Sequence, residues 1–470
     1  VACFTPLPPV QSGIAQYSAE LLPLLGQALD LDVYVDGYRP AVALPGVRVQ
    51  PAARFEAAQR ARPYDAIIYQ MGNSPAHAYM WPLVRRYPGL LVLHDYVLHH
   101  LHVWLAINRR MVGFYQAEMV RRYGAAGAEV ARKTLRGQMP GSVFDYPLCE
   151  GLVAASPVVA VHNAYAAGLV AARCGRADIE RIPMGVPLYQ LPERAAARQR
   201  LGLAADRPVI ASLGEMSPHK RMDVALRALL RVRERHPGLV YAVAGKESPG
   251  LNLERQVRML GLEDAVRRLG YIAEASVPDL LAAADLVVNL RYPTAGETSA
   301  SLLRILAAGQ AVIVTRAGAM AEVPADACAA IAPDAIEEEL LAAVIDRLLT
   351  DAPLRARLAA NARAFIEREH TLPHSARAYL RVLGRLLGRA LPAPDWPAVV
   401  VDARAGGPAL AGPAEAAPVE AGRPDLLADA VAGAIVDLRL DRAPGLARAA
   451  AAALAELRLA PHQRHDEAWP

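Results

Sequence analysis

Short apolar runs alternate with helix-like stretches along most of this chain, and the alternation begins twice. Residues 1–5, 31–35, 65–70, 90–93 and 157–161 read as strands in the first round. Residues 208–213, 239–244, 268–271, 284–290 and 311–315 read as strands in the second. Between them apolar residues fall at helical spacing, as do Ile14, Tyr17, Leu21, Leu24 and Leu25. The strands are apolar throughout rather than every second residue, which marks burial on both faces. Parallel sheets covered by helices follow from that pattern. With 470 residues there is material for two to three domains. The break near 183–207 sets a first α/β domain at 1–183 and a second at 184–374, doubly wound and facing each other across a ligand cleft.

The most informative stretch is 289–316, which reads as strand, loop, helix, tight turn and strand. Pro293 to Gly296 break the strand. Glu297, Thr298, Ser299 and Ser301 open a helix that carries Leu302, Leu303 and Leu306, and Gly309 ends it. A helix start after a strand offers free N–H groups and a positive dipole end, which suit a diphosphate.

Composition narrows the function classes. The net charge of +4 is too small to argue for nucleic acid. Basic pairs such as Arg85–Arg86, Arg109–Arg110 and Arg121–Arg122 suit either a solvated helix face or an anionic membrane surface. The four cysteines are far apart and form no C-x-x-C, as expected of buried thiols in a reducing compartment. No apolar run reaches the ~18 residues of a membrane span, and no secretory signal precedes the first strand. A cytoplasmic protein is expected, with room for peripheral contact at the cytoplasmic membrane face. His94, His99, His100 and His102 lack zinc spacing, and Asp30 with Asp32 read as a strand edge. No metal is expected.

Residues 375–391 read as a long amphipathic helix returning toward the first domain. From 392 to 423 the composition shifts to Pro, Ala and Gly, which reads as a flexible linker. Residues 424–470 read as an Ala-rich helical tail, with helices at 426–438 and 446–459.

Several segments together resemble family-4 glycosyltransferases of the GT-B fold. They are 4–22 with Phe4-Thr-Pro and Ser12-Gly13-Ile14, Leu93-His94-Asp95, Ser212 to Lys220, Val243-Ala-Gly-Lys246, Gly270-Tyr271-Ile272 and Ala307 to Val314. The resemblance covers roughly 1–390. It implies two Rossmann-like domains with a C-terminal crossover helix, and retaining transfer of a sugar from a nucleotide diphosphate donor to a glycan, lipid-linked or small-molecule acceptor. The nucleotide sugar would be a substrate, and no cofactor is implied. By position, Gly13 and Gly214 match glycines near the diphosphate and sugar, His94 the histidine beside the donor sugar, and Lys220 the lysine on the diphosphate. Gly296, Glu297, Thr298 and Ser299 match the loop and helix start on the donor. Tyr271 lies in the segment flanking the nucleobase. His94, Lys220 and Glu297 would carry catalysis. The chain departs from the family's Glu-x7-Glu pattern: Arg304 stands where the second acid belongs, and Glu215 follows Gly214 where an arginine is common. Arg304 or Arg291 would then make up a phosphate or ribose contact. A non-catalytic scaffold and a sugar-nucleotide epimerase are the alternatives.

Overall fold

The protein is described from a computed structural model, in which residues 1–138, 142–248 and 251–404 are placed. The first sheet has seven strands: β1 Ala2–Phe4, β2 Leu31–Val35, β3 Val47–Pro51, β4 Ile67–Met71, β5 Leu90–Leu93, β6 Val158–Val161 and β7 Ile179–Arg181. Their spatial order is β3-β2-β1-β4-β5-β6-β7, all parallel. The winding therefore reverses between β1 and β4. After β8, Leu188–Gln190, the second sheet repeats the plan. It contains β9 Val209–Leu213, β10 Val240–Ala244, β11 Val266–Gly270, β12 Leu286–Asn289, β13 Val312–Thr315 and β14 Ala329–Ile331. Its order is β11-β10-β9-β12-β13-β14, and it reverses between β9 and β12. In open sheets of this kind the crevice at the reversal, at the carboxyl ends of the strands, receives the ligand.

The central strands are closed to water on both sides. Val33, Ile68, Leu91 and Val92 have no exposed surface in the first sheet, nor have Ala211, Ala242, Val287 and Ile313 in the second. Each fully buried aliphatic side chain contributes about 1.5–3 kcal/mol relative to exposure, so the two cores hold their sheets independently of any ligand.

The helix Leu372–Leu387 leaves the second domain and packs on the first, against the helix Gly13–Ala28. Its buried face includes two polar ties: Tyr17 Oη and Ser375 Oγ lie 2.7 Å apart, and Gln70 donates to the Tyr379 hydroxyl at 2.9 Å. The segment after it differs from the linker expected over 392–423. Trp396 is buried and donates its Nε1–H to Gln27 Oε1 at 3.0 Å. A final strand, β15 Val400–Asp402, pairs in parallel with β8. One large aromatic surface and a strand's hydrogen bonds offset the ordering cost that proline and alanine composition alone could not. Trp396→Ala should accordingly destabilise the protein by about 3 kcal/mol, seen as a lower urea midpoint. An unchanged midpoint would mean that the segment is a passive rider. Residues 405–423 of the expected linker, and the helices at 426–438 and 446–459, lie outside the described residues. No helix among the described residues is long and apolar enough to cross a membrane.

Candidate active site

Three segments converge at the two reversals. Gly13 opens its helix after β1, Gly214 follows β9, and the helix Ala300–Ala307 follows β12. A Cβ placed on Gly13 would stand 3.5 Å from Ala300 Cβ, an ordinary contact. The protein's own packing thus tolerates a side chain there. A Cβ on Gly214 would stand 3.5 Å from Ser301 Oγ and 3.7 Å from Lys220 Nζ. The two glycines, Lys220 and the first turn of Ala300–Ala307 therefore form one cluster. Ser299 caps that helix by accepting from the Leu302 N–H at 3.3 Å. The N–H groups of Ala300 and Ser301 have no acceptor within the helix, as at any helix start, and add their partial positive charge to the cluster.

Lys220 is half-buried and forms no ion pair with a described residue. Burial, then the Arg291 charge, hold its ammonium well below the ordinary lysine value, against the pull of Glu297 and Glu215. A cation so disfavoured is poised to gain from an anion.

Glu297 organises the loop before the helix. It forms an ion pair with Arg291, and its Oε2 accepts from Thr294 Oγ1 at 2.9 Å and from the Ala295 N–H at 2.7 Å. Burial alone would raise its pKa; Arg291 and the loop's own donors outweigh burial and hold it below the usual carboxylate value. Of the roughly four acceptor sites of a carboxylate, three are occupied. Glu297 is thus first an anchor, with little capacity left for a sugar. The loop also docks on the first domain. Val97 donates its N–H to Ala295 O at 3.0 Å, and Asn163 Nδ2 donates to Gly296 O at 3.1 Å and to Thr298 Oγ1 at 2.9 Å. Gly296 adopts φ 80°, and a Cβ there would meet Tyr96 Cβ at 2.7 Å. The Thr298 hydroxyl, at the helix start expected on the donor, accepts from Asn163 and keeps its own O–H to donate.

His94 follows β5 and is buried, 4% exposed. Its Nε2 meets the Gln70 carboxamide at 2.7 Å and its Nδ1 meets His162 Nε2 at 3.1 Å. Burial, then His162 and His77, push its pKa well below the histidine range. Both nitrogens are used inside the protein. The expected catalytic histidine therefore has no ring nitrogen without a partner inside the protein.

Asp95, the next residue, completes the Leu93-His94-Asp95 motif. Its Oδ2 accepts from the Asn73 N–H at 2.7 Å. Burial, then Glu297 across the cleft, raise its pKa from 3.8 to about 7, with Arg291 pulling the other way. The sign is that of a raised carboxyl. The stability it carries is complete below about pH 3.8, where the unfolded chain also protonates, and is lost as pH rises through about 7. Asp95→Asn should therefore melt progressively higher than wild type between pH 4 and pH 8. A constant gap over that range would refute the shift.

Arg304 stands elsewhere than expected. Its Nη2 donates to both oxygens of Glu20 at 3.0 Å, and its Nη1 to the Tyr189 hydroxyl at 2.8 Å, with Glu274 Oε1 at 3.1 Å. Glu20 belongs to the first domain, so Arg304 is the buried centre of an ion cluster joining the domains. It is not open to a phosphate. Arg291 likewise is committed to Glu297. Tyr271, half exposed, follows the edge strand β11 two strands away from β9. Beside it a cavity of about 480 Å³ opens, lined by Met216, Gly245, Glu247, Arg268 and Gly270 among others. The remaining candidates that sequence singled out are held structurally. Arg48 pairs with both Asp30 and Asp32 at 2.6 Å. His99 bonds Tyr146 O and the Tyr115 hydroxyl, and His102 bonds Leu98 O.

Residues 193–365, which hold Gly214, Lys220 and the 297–301 loop, match the family model described as Glycosyl transferases group 1. The likeness to group 1 lies in the second domain. The chain is similar to D-inositol 3-phosphate glycosyltransferase of Stackebrandtia nassauensis, 31% identical over 234 residues, which are 47% of this chain and 52% of that protein. The chain spans about half the length of the curated relatives it matches. Over the whole fold it is similar to sucrose-phosphate synthase of Thermosynechococcus elongatus, with a TM-score of 0.61, 16% identity, and coverage of 82% of this chain and 98% of that one. HepE of Anabaena, solved in complex with UDP and glucose, gives a TM-score of 0.59 at 18% identity, covering 82% and 99%. The architecture around the group 1 domain is thus the GT-B fold.

Proposed function

We propose that the protein is a retaining glycosyltransferase that takes a sugar from a nucleotide diphosphate donor and places it on a hydroxyl acceptor. The observation that carries this reading is the gathering of Gly13, Gly214, Lys220 and the Ala300–Ala307 helix start at the paired sheet reversals. Breaking the glycosidic bond leaves added negative charge on the diphosphate, and preorganised positive groups at that oxygen lower the barrier most. Lys220, once an anion restores its proton, and the free first-turn amides are such groups. The cavity beside Gly270 and Tyr271 has room for a nucleobase. The acceptor would enter over the first domain, along the helices His99–Asn108 and Val112–Leu135. Ile107, Val112 and Val120 are exposed there beside Arg110 and Arg121, a mixture that supports contact with an anionic membrane face and a lipid-linked acceptor.

A thermal-shift screen of nucleotide sugars tests the reading. The true donor at 100 times its dissociation constant should stabilise by about 2.7 kcal/mol, and slow release of nucleoside diphosphate from it should accompany binding. Turnover should persist in EDTA, because Lys220 and the helix start supply the charge a divalent ion would. Activity lost in chelator and restored by magnesium or manganese would overturn metal independence. Stabilisation by nucleotide sugars without any turnover would favour the scaffold alternative.

A further inference from the structure

Lys220 and, from the first domain, Asp95 both feel the charges of the Arg291–Glu297 pair, and the transfer as described leaves the Asp95 carboxylate unused. We propose that Asp95 holds a sugar hydroxyl at the reaction centre, accepting its hydrogen bond through the carboxylate oxygen that the protein leaves unpaired; this rests on the glycosyltransferase reading. Asp95 sits at the carboxyl end of β5, half-buried and fixed through one oxygen only, by the Asn73 N–H at 2.7 Å. The other oxygen has no partner among the described residues. The charged groups nearest it are Glu297 and Arg291, both on the loop of the group 1 domain. Arg291 is committed to Glu297, and Asp95 forms no ion pair among the described residues.

An uncompensated carboxylate repels a diphosphate, and it donates nothing when ionised. The ligand group it can face is therefore neutral and a donor, which in a sugar means a hydroxyl. Two hydroxyls come near such a centre, one on the donor sugar and the attacking one on the acceptor. In the second case the atoms balance as follows. The acceptor oxygen forms its bond to the anomeric carbon, and the bond from that carbon to the diphosphate oxygen breaks with its electron pair leaving on the phosphate. The hydroxyl proton passes to Asp95 and from there to water. A carboxyl raised to about 7 is matched to proton transfer at neutral pH.

Asp95→Asn preserves shape and still accepts from Asn73. The full chain of wild type and variant would be titrated calorimetrically with UDP, UDP-glucose, GDP and GDP-mannose, and nucleoside diphosphate release would be timed. Diphosphate affinity is expected to be no weaker in the variant, which lacks the repelling charge. If the hydroxyl belongs to the donor, nucleotide-sugar affinity falls by roughly 10- to 150-fold. If it is the attacking hydroxyl, all four ligands bind no more weakly than to wild type and turnover falls by roughly 100- to 10,000-fold. Wild-type affinity together with wild-type turnover would overturn the proposal. So would an equal loss for diphosphate and nucleotide sugar. A wild-type protein that no nucleotide sugar of the thermal-shift screen stabilises would remove the glycosyltransferase reading itself, and the role of Asp95 with it.

Discussion

Replacing Lys220 with alanine is expected to lower turnover by roughly 30- to 1000-fold, or about 2–4 kcal/mol, with the donor Michaelis constant changing less than the turnover number. Lys220 lies against Gly214 and Ser301, at the mouth of the helix start, where charge accumulates as the leaving group departs. In the free protein burial and Arg291 hold its ammonium back. A bound diphosphate supplies the missing counter-charge and restores it, since an adjacent anion favours the protonated form. Binding should therefore take up a proton wherever the free lysine is deprotonated, measurable by titrating nucleoside diphosphate across a pH series in two buffers of different ionisation enthalpy. Above the lysine's pKa in the complex, affinity should fall. The alanine variant should lose both the proton uptake and the rate. Wild-type turnover in Lys220→Ala would remove the central element of the mechanism, and unchanged proton uptake would assign the titration to another group.

The second large effect is on stability. Arg304→Ala should destabilise the protein by about 3–5 kcal/mol, because it leaves acids buried without their cation. The Arg304 side chain is 7% exposed and that of Glu20 16%, so water cannot take over the lost contacts. Pairing the arginine change with Glu20→Gln should recover part of the loss, since the penalty lies in the unpaired charge rather than in the missing bond. UDP affinity, measured where the variant is still folded, should move by less than threefold on the order of an indirect effect. A variant that melts like wild type but loses nucleotide binding would return Arg304 to the ligand. The position is instructive. A family pattern places an acid there, this chain places a cation, and the first domain answers with Glu20 on the helix Gly13–Ala28.

That pairing marks how far the sequence could be read. The strands of both sheet centres were legible because they are apolar throughout and bounded by glycine and proline, which few other elements are. The missed strands are short and half-exposed. In β3 every residue keeps some solvent contact, and β7, β8 and β14 have three residues each. Edge strands like these are set by the neighbour they add to rather than by their own pattern. The segment around Trp396 was misread for a related reason. Proline and alanine predict no packing by themselves, yet a single indole finds Gln27 on the first domain's helix, 369 residues earlier.

At the site the same division holds. Sequence alone determined the doubled α/β plan, the glycine after the first strand of each sheet, the lysine following the second of those glycines, and the hydroxyl-rich helix start. These depend on local chemistry: backbone freedom, a long cation, and the free amides of a first turn. Only the tertiary structure decided which side chains remain available to a substrate. Glu297 is tied to Arg291, Thr298 to Asn163, both nitrogens of His94 to Gln70 and His162, and Arg304 to Glu20, while Asp95 keeps an unpaired oxygen. Each of those outcomes depends on partners at least six and as many as 284 residues away in the chain, brought near by the sheets. Residue type fixes what a side chain can do, and the hydrogen bonds and charges around it in the fold fix whether any of that capacity is left for a ligand.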